Sequence, residues 1–368
     1  MTSIAQRKSI TILTRDIAIA IISFALVAII VRQVLWQGGL ADRSLFDAEA
    51  SRAADYARGI VFLGASHFGV GVDPATFDTT PTGQRLDARA FDLTLGGMSA
   101  VEMRRLAERF FDLHPCCVKY VVIEAAFMQT DIGWFPNDLR SVLFFDLANA
   151  IDFLRMIFSY SILPTAGQGR WDYVRNVAFA TAMHYTNTGL AAVVFGWGTP
   201  IGNYRLVLST SAGEGIGKAS TGETRTVFTQ GVEAYMKWRP KFLAGDENPY
   251  KRGTFVNQEM LDYVLETIRL IERHDVTVIV VQPPLLGNWP YAVDFVEGFR
   301  ERCGERHLID FSDPIRFADL FQNLDYWMDG SHLSHAGARV LTTMLAKRIG
   351  EIIDDDAARG GAVHPACG

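Results

Sequence analysis

Five short apolar runs, most of them rich in β-branched or aromatic residues, punctuate the chain at residues 60–63, about 88–93, 118–123, 276–281 and 308–311. Between them lie stretches with helical periodicity, at 100–113, 258–273 and 336–353. Continuous apolar runs suit strands buried on both faces, and strands that alternate with helices suit a parallel sheet covered by helices. The periodicity therefore predicts an α/β domain. With 368 residues, 49% of them hydrophobic, the chain can bury a large core without covalent staples.

The first of these runs ends in Gly64-Ala65-Ser66-His67, which reads as a buried strand breaking into a tight turn that presents a hydroxyl. In an open α/β sheet that edge is where ligands bind, so Ser66 is a candidate nucleophile. Far downstream, Asp329-Gly330-Ser331-His332 offers a carboxylate and an imidazole three residues apart. A serine hydroxyl needs an adjacent base to take its proton, and histidine, with an ordinary pKa of roughly 6.5, suits that task near neutral pH. An aspartate would fix the tautomer of the ring and stabilise the imidazolium.

The order of these segments, serine after the first strand and Asp-x-x-His before the last helix, resembles the SGNH (GDSL-like) hydrolase superfamily. The resemblance implies a flavodoxin-like, three-layer α/β/α fold around a central parallel five-stranded sheet. It assigns Ser66 as nucleophile, His332 as base and Asp329 as its partner. The run 93–99 (Leu-Thr-Leu-Gly-Gly-Met-Ser) looks like the second block of the family, which would make the N–H of Gly97, or of the neighbouring Gly96, an oxyanion donor beside that of Ser66. Losing one such donor typically costs about 3 kcal/mol of transition-state stabilisation. The third block normally carries an asparagine donor; here residues 121–124 run into Ala125-Ala126-Phe127-Met128-Gln129, leaving Gln129 as the substitute.

The N-terminus adds a second signal. Residues 17–31 carry no charge, and as a helix residues 17–36 would span about 30 Å, the thickness of a hydrocarbon core. Arg32 near its end can snorkel, and Trp36 suits an aromatic belt. Arg7, Lys8 and Arg15 precede the span, so the positive-inside bias predicts a cytoplasmic tail at 1–16, an anchor at 17–36 and a catalytic domain on the far side of the membrane. A cleaved signal peptide is the competing reading, disfavoured by the length of the apolar stretch.

The family-like domain is expected in two parts, 58–129 and 256–353, with an insertion at 130–255 and a tail at 354–368. So long an insertion implies structure of its own. Its apolar stretches at 139–158 and 177–197 read as helices, which either cap the active-site edge or enlarge the core. A third reading rests Trp134, Phe135, Phe144 and Phe145 on a bilayer. The pair Cys116 and Cys117 is not expected to bond to itself, and with Cys303 and Cys367 it suits neither a zinc ribbon nor a dense disulfide framework. Asp329, His332 and His335 have no third histidine or cysteine near them in sequence, so no metal is expected, and the chemistry calls for no cofactor. His335 is read instead as the start of the last helix. His67 is expected to point away from its neighbour Ser66 in a structural or substrate-facing role, and Glu124 to be a satisfied structural carboxylate or a substrate contact. A net charge of −6 without long basic runs argues against nucleic acid.

The anchor, the Gly-Ala-Ser-His sequence, the missing asparagine and the insertion together look most like the cell-envelope acyltransfer branch of the superfamily, the DltD-like and exopolysaccharide O-acetylation proteins. That likeness implies transfer of an acetyl or D-alanyl group through Ser66 to a hydroxyl of an envelope polysaccharide or polyol. The setting would be the periplasmic face of a bacterial inner membrane, alongside a membrane-bound O-acyltransferase partner. An envelope esterase using water, and a catalytically silent scaffold or glycan-binding protein on the same fold, are the alternatives.

Overall fold

The computed structural model describes residues 15, 16, 19, 22, 23, 26, 27 and 30, and then 45–125, 144–159, 170–185, 258–285, 289–313, 316–328 and 330–359. Five parallel strands form one sheet: β1 (Gly59–Gly64), β2 (Phe91–Thr94), β3 (Val118–Glu124), β4 (Thr277–Gln282) and β5 (Leu308–Asp310). Their order is β2-β1-β3-β4-β5, with Leu63 opposite both Leu93 and Ile123, and Ile123 opposite Val280. All five runs read from the sequence become strands, and the α/β expectation holds. The connection reverses direction between β1 and β3, which makes the C-terminal ends of these two strands the switch point where sheets of this order bind ligands.

Alternation along the strands supplies two buried faces. Ile60 and Phe62 of β1, Val122 of β3, Ile279 and Val281 of β4 and Ile309 of β5 share one core. Phe68 and Phe77 join them from two short helices, α1 (Ser66–Gly71) and α2 (Pro74–Thr79), and Leu341, Leu345 and Ile349 join from the long C-terminal helix, α3 (His335–Ala358). The residues between them, Val61, Leu63, Val121, Ile123, Val278 and Val280, face the other way and are equally buried. Two amphipathic helices serve that side, α4 (Ala100–Asp112), burying Met103, Leu106 and Phe110, and α5 (Gln258–Glu272), burying Leu261, Leu265 and Ile268. A capping box starts α4: Ser99 Oγ accepts from the Glu102 N–H, and the Glu102 carboxylate accepts from the Ser99 N–H at 2.8 Å.

By its contacts the chain divides into two compact units, the sheet domain and a second unit containing residues 1–47, 133–156 and 164–201. Two helices of the insertion are described, α6 (Leu147–Ser159) and α7 (Arg170–Tyr185), and the Leu147 N–H donates to the Tyr185 hydroxyl at 3.1 Å. Phe144 and Phe145 are buried, Phe145 edge-on to Phe153 at 5.2 Å, so of the three readings offered for the insertion the lipid-facing one is not met at these two residues. They turn inward because aromatic edges satisfy one another there. Trp134 and Phe135 lie outside the described residues, as do most of the anchor at 17–36 and the stretch 186–257. Among the described residues no helix is long and apolar enough to cross a membrane. Contrary to expectation, Cys116 is paired with its neighbour Cys117, whose backbone takes φ 72° in the turn before β3.

Candidate active site

β1 stops at Gly64 because the chain must pass close to a carboxylate. A Cβ on Gly64 would lie 2.6 Å from Glu124 Oε2 and 2.7 Å from Glu124 Cβ, so only glycine fits. Ala65 then bends, and α1 begins at once with Ser66. The expected turn is thus the first residue of a six-residue helix. That changes the direction of His67, since successive residues on a helix are about 100° apart rather than on opposite sides of an extended chain.

His332 arrives from the far end of the chain on a loop pinned at several points. Trp327 and Leu333 form an antiparallel bridge, the Met328 N–H donates to the His332 carbonyl at 2.9 Å, and the buried Trp327 indole donates to the Leu320 carbonyl at 3.0 Å. Ser334 caps α3 and hands its hydroxyl proton to the Asp325 carbonyl. A Cβ on Gly337 would fall 2.1 Å from the Tyr326 carbonyl oxygen, so the first turn of α3 lies against this loop only because that residue is glycine. His335 starts the helix, as expected.

The result is a short contact across 266 residues of sequence: His332 Nε2 lies 2.8 Å from Ser66 Oγ. With the ring proton on Nδ1, the Ser66 hydroxyl donates to Nε2, the geometry of a nucleophile and its base. On the other side of the ring, Nδ1 lies 3.3 Å from the Ser331 hydroxyl. Both Ser66 and His332 are half-buried, within reach of a ligand in the crevice. Two expected site residues, Asp329 and Gln129, lie outside the described residues. Gly97 stands at the same rim. It takes φ 63° in the turn that joins Leu95 to Met98, with open space where a Cβ would be, and that turn is tied to β1 by the Leu95 N–H donating to the Gly64 carbonyl.

A second imidazole, His67, lies beside His332; its structural or substrate-facing role was expected, but its stacking on His332 and its pairing with Glu124 were not. The His67 ring stacks on the His332 ring, centroids 5.2 Å apart and planes 16° from parallel. His67 Nδ1 lies 2.8 Å from Glu124 Oε1, while Glu124 Oε2 accepts from the N–H groups of Ala65 at 2.7 Å and Phe68 at 3.2 Å. Glu124 is wholly buried at the end of β3, directly across from the end of β1. The expected satisfied carboxylate is what is found. The signal that could have revealed the pairing is a carboxylate ending one buried strand and a histidine following the neighbouring one.

Beneath α1 lies one more buried acid. Asp92 on β2 is pushed up to about 8, first by burial and then by the negative charges of Glu124 and Glu49, with the Thr94 side chain opposing through a hydrogen bond. Its Oδ1 has no hydrogen-bond partner among the described residues. Glu49 is itself raised by burial, against the pull of Arg52. Burial thus favours the protonated form of Asp92 near neutral pH.

No family model and no curated protein matches the chain.

Proposed function

We propose that this protein is a membrane-anchored serine acyltransferase of SGNH type. The observation that carries the reading is the 2.8 Å approach of His332 Nε2 to Ser66 Oγ at the crevice beyond β1 and β3. In the first half-reaction Ser66 Oγ bonds to the acyl carbon as its proton passes to His332 Nε2, and the leaving group departs with that proton. In the second, an acceptor hydroxyl gives its proton to His332 Nε2 as its oxygen bonds to the acyl carbon, and His332 passes that proton to Ser66 Oγ as the bond between Ser66 and the acyl group breaks. The N–H groups of Ser66 and Gly97 would face the developing oxyanion, with Gln129 as a third donor and Asp329 as the partner of His332.

The apolar segment 17–36 would hold the chain in a bacterial inner membrane with the sheet domain on the periplasmic side. The acceptor would then be a hydroxyl of an envelope polysaccharide or polyol, with an acetyl or D-alanyl group delivered alongside a membrane-bound O-acyltransferase. The test is covalent labelling of the full-length chain in detergent with a fluorophosphonate. Labelling should be lost in Ser66→Ala and slowed by about a hundredfold or more in His332→Ala. Product analysis with a supplied polyol should then give the acyl ester of the polyol; free acid alone would make the protein an esterase. A folded wild type that takes no label overturns the nucleophile.

A further inference from the structure

We propose that His67 and Glu124 are positioning residues of this site, a carboxylate-held imidazole whose face lies against His332 and supports it as it takes the Ser66 proton. The inference rests on Ser66 being the nucleophile and goes one layer beyond it. Glu124 has a carboxylate's acceptor-only chemistry, and three N–H groups converge on it, from Ala65, Phe68 and the His67 ring. Donation from His67 Nδ1 leaves Nε2 as the unprotonated nitrogen of the neutral ring, so the tautomer is set by a group from another strand.

Closing the turn between β1 and α1 explains the bonds to Ala65 and Phe68. It does not explain the third. A carboxylate there could be satisfied by the backbone or by any donor at 67, and nothing in turn closure calls for a flat ring stacked within 5.2 Å of the base. The stack matters most when His332 changes charge. As the Ser66 proton reaches Nε2, His332 becomes a cation, and beside it lies an aromatic face whose electron density is raised by hydrogen bonding to an anion. A cation beside such a face is favoured, more so in a partly desolvated crevice. The ring also limits rotation of His332 about its side-chain torsions, keeping Nε2 aimed at Ser66. His67 exchanges no proton in this scheme and makes no bond to the acyl group.

The observable is the rate at which Ser66 reacts, separated from binding. For fluorophosphonate labelling of the full-length chain, His67→Ala should lower the maximal rate about tenfold and leave the half-saturating probe concentration unchanged. Added imidazole should restore part of that rate. His67→Gln, whose amide can still donate to Glu124 but offers no ring, should keep the melting temperature of the wild type and be as slow as His67→Ala. A folded His67→Gln within twofold of wild type overturns the inference, as does a change confined to the half-saturating concentration, which would make His67 a substrate contact. Either result leaves the Ser66–His332 reading standing. A wild type without labelling, or equal labelling of Ser66→Ala, removes that reading and this inference with it.

Discussion

Replacing Asp92 by Asn removes a proton-binding group from the floor of the site while keeping its shape. Asp92 is pushed up to about 8 in the folded chain, whereas the same carboxyl ionises near 3.8 when unfolding returns it to water. Between those values the folded state holds a proton that the unfolded state has released, so stability falls as pH rises, and the loss is complete only above about 8. Each pH unit in that window is worth about 1.4 kcal/mol, so at pH 7 the acid destabilises the fold by about 4 kcal/mol relative to pH below 4. Asparagine cannot ionise. The stability of Asp92→Asn minus that of the wild type should therefore grow by about 1.4 kcal/mol per unit from pH 4.5 to pH 7.5, read as urea midpoints of the full-length chain. Any fixed gain or loss from the new amide shifts the whole difference curve without altering its slope, and Glu49, raised in both chains, largely cancels. A difference that stays flat across this range would refute the reasoning, since it would mean that Asp92 ionises in the fold as easily as in water.

Gly64→Ala would push a methyl into the Glu124 side chain at 2.6–2.7 Å, so it should cost about 1–3 kcal/mol and slow serine labelling together. Gly71→Ala, whose methyl would meet nothing closer than 3.8 Å, should stay within about 1 kcal/mol of wild type in the same urea titration. Ser99→Ala removes one side of the capping box that starts α4 and should lower stability by about 1 kcal/mol, seen as a lower urea midpoint with an unchanged slope.

Much of the fold was legible because its signals are local. A run such as 118–123, dense in valine and isoleucine and too short for a core helix, reads as a strand from its own residues, and it pairs as one. Ser99 three residues before Glu102 announced nothing to the periodicity argument, yet it sets where the helix predicted at 100–113 begins. Ser66 and His332 were singled out because a nucleophile and its base require a hydroxyl and an imidazole and the chain order supplied both, and the fold brings the two within 2.8 Å. The pairing of His67 with Glu124 escaped, since it bridges 57 residues and exists only through the register of β1 against β3. The place of Phe144 and Phe145 stayed open in the sequence for a related reason: an aromatic pair is equally suited to a lipid surface and to a core, and only neighbours such as Phe153 decide which.

What the residues determined alone is the class of fold and a set of candidates: buried strands from continuous apolar runs, helices from their spacing, a serine at the end of the first strand and a histidine ahead of the last helix. Those follow from side-chain size, polarity and backbone preference over a few positions. Tertiary structure decided which of the candidates meet, by placing His332 Nε2 2.8 Å from Ser66 Oγ, laying one imidazole on another and raising Asp92 by burial. Distance, ring orientation and local dielectric arise only when segments hundreds of residues apart share one volume, and reactivity depends on all three.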